Sequence, residues 1–138
     1  MEKKYLIMDD GRVLALRSFG HVQEGDIGGF VDGEHNLSHE GLCWVGDDAS
    51  VTEGAGVIGD ALCDGRAIVR HVAEVSGRAW VSDDCMICGI SVVTDDAIVG
   101  DEARIYSVRV GGREVVGGST VLHPVYEPSN EVTAKWKL

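Results

Sequence analysis

From Cys43 onward the chain repeats a six-residue pattern. Small residues stand at Cys43, Ala49, Ala55, Ala61, Ala67, Ala73, Ala79, Cys85, Ser91, Ala97 and Ala103. Two places further on stand Val45, Val51, Val57, Cys63, Val69, Val75, Val81, Ile87, Val93, Val99 and Ile105. Eleven small and eleven apolar positions therefore agree in one register. Turn formers such as Gly46-Asp47-Asp48, Asp64-Gly65-Arg66 and Ser82-Asp83-Asp84 separate the units. A period of six does not suit an amphipathic α-helix, whose apolar positions fall near every 3.6 residues. It suits short strands, each followed by a turn. Residues two apart share one face of a strand, so the small and apolar positions point inward together and the residue between them points out.

This unit resembles that of the hexapeptide-repeat proteins over residues 43–105. The resemblance implies an all-β fold, a left-handed parallel β-helix in which three hexads close a triangular coil of 18 residues. Residues 18 apart should then stack at roughly 4.8 Å. Asp48, Arg66 and Asp84 have that spacing with alternating charge, as do Asp60, Arg78 and Asp96. Stacked charges of alternating sign attract, so both triplets support the register.

The outward positions form three columns. One is Trp44, Leu62, Trp80 and Ile98, a second Ser50, Ile68, Met86 and Arg104, and a third Gly56, Glu74 and Val92. The first column is expected to form an exposed apolar stripe, and with Ile68 and Met86 it makes the candidate interface. Exposed apolar patches mark interaction sites, and Trp is the favoured anchor residue. A terminal segment folded over the stripe is the alternative. Dimers and trimers are common in the class that the repeats resemble, and symmetry lets one stripe bury itself.

The flanking segments are expected to act as caps, because the ends of a β-helix are open strand edges. Residues 1–40 predict two strands, near 4–8 and 12–19, joined at Asp9-Asp10-Gly11. Gly28-Gly29 predicts a tight turn or close packing under the first coil. After Ile105 the register slips by one residue, and Val110, Val116 and Leu122 resume the spacing. The division expected is one domain over 1–138: a cap at 1–40, the β-helix at 41–123, and a strap or tail at 124–138. Pro124 and Pro128 are expected to end the last coil, and Trp136 favours a strap.

The run Gly25-Asp26-Ile27-Gly28-Gly29-Phe30, then Asn36-Leu37-Ser38-His39-Glu40-Gly41 and the repeats, resembles the YdcK-like family of bacterial, phage and prophage β-helix proteins. Leu16-Arg17-Ser18-Phe19-Gly20 extends the resemblance upstream. That family favours Asn and Tyr at its turns, whereas Asp and Gly stand here.

The formal charge of −11 argues against direct nucleic-acid binding, which needs cations on phosphates. No Lys or Arg occurs between Ser18 and Gly65. The stretch holds Asp47, Asp48, Glu53, Asp60 and Asp64, a candidate face for a basic partner or a solubilising surface. No apolar run reaches membrane-spanning length. The short apolar run near the N-terminus meets Asp9, and cysteines at inward positions fit a reducing compartment, so a cytoplasmic protein is expected.

Catalytic signals are sparse. His71 stands alone within the regular repeats, at a turn, as the candidate general base for a hexapeptide-type acyltransferase. His35 and His39 precede the coil, and His21 and His123 are scattered, which makes no zinc triad of the kind found in β-helical carbonic anhydrases. Cys85 and Cys88 form a lone CxxC, with Cys85 inward and Cys88 at a corner. No phosphate-binding glycine motif occurs. No cofactor or metal is expected. Three readings result: a non-catalytic protein-binding or assembly protein, phage- or prophage-derived as the family resemblance implies, that presents rigid apolar and acidic surfaces to protein partners; an acidic nucleic-acid mimic that inhibits a basic host protein; and an acyltransferase.

Overall fold

The computed structural model describes residues 3–126 and 132–137. The hexads fold as a left-handed parallel β-helix, and none of the small or apolar positions in the repeat is more than 1% exposed. The interior is thus a column of aliphatic side chains beside a column of alanines, where the small residue admits the turn of the backbone.

Three sheets form the faces of the prism. The first holds β5 (Ser50–Val51), β8 (Ile68–Val69), β11 (Met86–Cys88), β14 (Arg104–Tyr106) and β17 (Val121–Tyr126). The second holds β4 (Trp44–Val45), β7 (Leu62–Cys63), β10 (Trp80–Val81), β13 (Ile98–Val99) and β16 (Val115–Val116). The third holds β6 (Gly56–Val57), β9 (Glu74–Val75), β12 (Val92–Val93) and β15 (Arg109–Val110). Pairing is parallel with an 18-residue offset, as in Trp80 against Leu62 and Val81 against Cys63. The expected slip is present: Val92 pairs with Arg109 and Ile98 with Val115, an offset of 17. A hexad shortened by one residue at Ser107, whose φ is 51°, absorbs it.

The predicted hairpin forms β1 (Tyr5–Ile7) and β2 (Arg12–Ala15), so the second strand ends four residues before Phe19. Chain reversal there closes on a bridge between Phe19 and Val22. A third strand, β3 (Ile27–Val31), was not expected. It pairs antiparallel with β2 and parallel with β5, which joins the cap to the first face. Gly28 and Gly29 therefore lie in a strand rather than a turn, and their close packing on the first coil is as expected. A short 3₁₀ turn at Glu34–Asn36 follows.

At the other end, parallel pairing to the coil stops at Leu122, two residues before Pro124, while strand β17 itself runs on through Pro124 to Tyr126. Only Val121 and Leu122 of that strand pair with β14, so Pro124 sits past that ladder, where its missing N–H costs nothing there. The segment expected as strap or tail contains β18 (Val132–Lys137), antiparallel to β17. Pro128 lies outside the described residues. Among the described residues no helix is long and apolar enough to cross a membrane.

Candidate interaction face

The second face presents an apolar stripe. Leu62, Trp80, Ile98 and Val115 stand on successive paired strands and point outward. Leu62 is half-buried, while Trp80 is 45%, Ile98 39% and Val115 72% exposed. The Trp80 ring is oriented by its Nε1–H, which donates to Asp64 Oδ1 at 3.0 Å. Val115 was not among the expected residues. Its signal was present, because recognising Val116 as interior makes the residue before it outward.

Trp44, expected to be exposed on this stripe, is buried at 4% exposure. The cap covers it: the Phe19 ring meets it edge-on at 5.5 Å, and Gly28 packs against its ring. Beyond this first rung the cap's Val22 and Ile27 border a groove shared with Leu62. Because β18 joins the first face, its pairing does not place it over Trp80 or Ile98. Ile68 and Met86 are half-buried and stand on the first face, so they do not join the stripe. Arg70 Nη2 lies 3.7 Å from Met86 Sδ.

The acidic residues have intramolecular work. Each corner carries a column of residues with positive φ, such as Asp47, Gly65, Asp83, Asp101 and Gly118. Where the column holds a carboxylate, it accepts the turn N–H of the next coil. Asp47 Oδ2 accepts from Gly65 at 3.1 Å, Asp83 Oδ2 from Asp101 at 2.9 Å and Asp101 Oδ2 from Gly118 at 2.7 Å. Glu53 Oε2 does the same for His71 at 3.0 Å. Asp and Asn tolerate this left-handed conformation better than other side chains. Of the other acids singled out, Asp48 pairs with Arg12 at 2.7 Å, Asp60 accepts from the Leu42 N–H at 3.0 Å, and Asp64 holds Trp80. The two charge triplets are ion-paired in their second halves, Arg66–Asp84 and Arg78–Asp96, both at 2.8 Å.

The histidines are similarly engaged. His71 Nδ1 accepts the Gly89 N–H at 3.0 Å, which places the proton of the neutral ring on Nε2. His39 Nδ1 accepts the Lys4 N–H at 3.1 Å, its Nε2 lies 2.7 Å from Glu34, and its ring stacks on Tyr5. His35 Nε2 lies 2.6 Å from Glu53 O. Among the described residues no three His, Cys, Asp or Glu side chains are placed to share a metal ion.

All four cysteines are buried thiols. Cys88, expected at a corner, is the last residue of β11 and only 2% exposed. Burial pushes the Cys85 thiol up to about 12 and raises those of Cys63 and Cys43. Above pH 9 the unfolded chain releases thiol protons that the folded chain keeps, so stability falls as pH rises through that window. Lys4, lowered chiefly by burial, acts in the opposite sense below its ordinary value of 10.5. With several thiols against one amine, the net direction is loss. At pH 10.5 the Cys85 contribution is about 2 kcal/mol. Urea unfolding at pH 8 and pH 10.5 should show the wild type losing stability and Cys85→Ala losing about 2 kcal/mol less. An equal loss in both proteins would contradict this assignment.

Stacked hexads, an aliphatic interior and corner ladders define a hexapeptide-type left-handed β-helix. Over 73 residues the chain is 27% identical to the uncharacterized acetyltransferase YdcK of Escherichia coli strain K12. The match takes in 52% of this chain and 22% of that protein, so the chain spans well under half of the relative's length. No family model matches the chain.

Proposed function

We propose that this chain is a non-catalytic protein-binding β-helix whose second face receives a protein partner with a flat apolar strip of its own. One observation carries the reading: Trp80, Ile98 and Val115 are large, exposed and directly stacked on paired strands. A flat ladder of this kind is preorganised, so binding orders little backbone. Trp80 is the expected anchor, held in orientation by Asp64.

The test is a photoreactive phenylalanine analogue at Ile98, irradiated in cells, beside the same group at Glu74 on the third face. Position 98 should yield a discrete protein adduct, and Trp80→Glu should abolish it. Absence of any adduct specific to position 98 would overturn the reading.

The name of the YdcK relative favours acyl transfer as a second reading. The engagement of His71 weighs against it, because a general base needs a lone pair free for the substrate proton. Titration calorimetry with acetyl-CoA is expected to give no binding heat, and saturable binding weakened by His71→Ala would reverse the preference. The inhibitor reading is weakened in the same way, since its acids serve the corner ladders.

A further inference from the structure

We infer that the occupant of the second face is a second copy of this chain, packed antiparallel about a twofold axis that passes between the Trp80 and Ile98 rungs. The inference rests on the reading that this face binds protein, and deepens it.

The argument comes from the charges beside the stripe. Two residues before each outward apolar residue, the same corner carries Asp60, Arg78, Asp96 and Arg113, all exposed. Up the prism the column reads negative, positive, negative, positive. A twofold axis perpendicular to the helix, between the two middle rungs, reverses this column against itself. Asp60 then faces the second copy's Arg113, and the Arg78–Asp96 ion pair of one copy faces that of the other in reversed order, so every rung meets its opposite, with the Asp60–Arg113 rungs carrying the larger share. The same operation lays Leu62 on Val115 and Trp80 on Ile98. A closed isologous pair results, with the stripe of each copy buried by the other.

A parallel pair sets this corner against the opposite one instead. There Asp96 meets Glu102 and Arg113 meets the uncharged Ser119, so half of the complementarity is lost. The antiparallel pair has one like-charge approach, Asp84 to Glu102, at that opposite corner. It is softened because Asp84 is already paired with Arg66, and because both acids border a groove open to solvent. Charge complementarity of this kind fixes register and suppresses wrong partners more than it adds affinity. Four rungs span only about 14 Å, so the contact is small and the dimer should be reversible.

Disulfide trapping tests the geometry on the full chain. Asp60→Cys and Arg113→Cys proteins are oxidised separately and as a mixture. The native thiols are buried and stand apart from the reaction. The mixture should give a 60–113 linked dimer. Each protein alone should not, because like sites lie about 14 Å apart across the axis, beyond disulfide reach. Adding Trp80→Glu to both proteins should remove the link. Sedimentation supplies a second arm: Arg78→Glu should weaken dimerisation, and Arg78→Glu with Asp96→Arg should restore it.

A Trp80-dependent 60–60 link, a trimeric mass or failure of the double swap to restore would overturn the antiparallel arrangement. A monomer at every concentration, with no link in the mixture, would overturn the second copy as occupant. A position-98 adduct to a different protein would then leave the protein-binding reading standing without this one.

Discussion

Gly28→Val and Gly29→Val are each expected to detach the N-terminal cap from the first coil. A Cβ at Gly28 would overlap the carbonyl oxygen of Val45 and lie 2.8 Å from the Trp44 ring and 2.9 Å from Val13 Cγ2. One at Gly29 would overlap the carbonyl oxygen of Ala49 and lie 2.9 Å from Val45 Cγ1. These obstacles are mostly backbone, and that backbone is fixed: the Ala49 oxygen accepts the Phe30 N–H at 2.9 Å. The strand cannot move away without giving up its pairing to β5. Overpacking usually costs 1–3 kcal/mol, and here, with backbone in the way, about 3 kcal/mol or more is expected. Two readouts separate loss of the cap from loss of the fold. Emission from Trp44 should shift to the red as the ring meets water, while the far-ultraviolet strand signal of the coils persists. Stability within about 1 kcal/mol of wild type would show that the cap tolerates the larger side chain.

The same two glycines explain why the cap was less legible than the coil. In the repeats a side-chain type recurs at each interior position, so the pattern declares itself many times over. In β3 the close approach is made by the absence of side chains, and Gly28-Gly29 reads as a turn as readily as a strand. The burial of Trp44 follows from the same omission. The repeat places it in the outward column, but the strand that covers it carries no periodic signal. The slip at Ser107 was visible from Val110 and Val116, whereas its result, Val115 on the stripe, required counting back from the interior residue. The acids were obscure for another reason. A carboxylate at a left-handed corner and one on a binding face have the same letter, and only the distance from Asp47 or Asp83 to the next coil's N–H tells them apart.

Lys4→Met is expected to destabilise the protein by about 2–3 kcal/mol, because it orphans the buried Cys43 carbonyl and removes a charged donor. In each coil the carbonyls accept N–H groups from the coil before, as Ala61 O accepts from Trp44 N and Ala79 O from Leu62 N. On the second face β4 is the edge strand and no strand precedes it, and Lys4 takes that place. Its fully buried ammonium donates to Cys43 O at 2.7 Å, Gly41 O at 3.3 Å and Glu40 O at 3.5 Å, and lies 4.8 Å from the Phe19 ring centre. Desolvation opposes the charge and holds the amine below its usual range, so the carbonyl dipoles must offset that cost. Met matches the length of the stem and supplies no donor. Lys4→Arg is not expected to rescue, because the planar guanidinium has a different fork geometry from the compact ammonium. A chemical readout accompanies the loss of stability. Lys4 Nζ sits 3.4 Å from Cys43 Sγ, so loosening the cap should make that thiol react with an aromatic disulfide reagent. Cys85, deep in the coil, should stay unreactive. Near-wild-type stability with Cys43 still protected would mean that water, rather than Lys4, satisfies the mouth of the first coil.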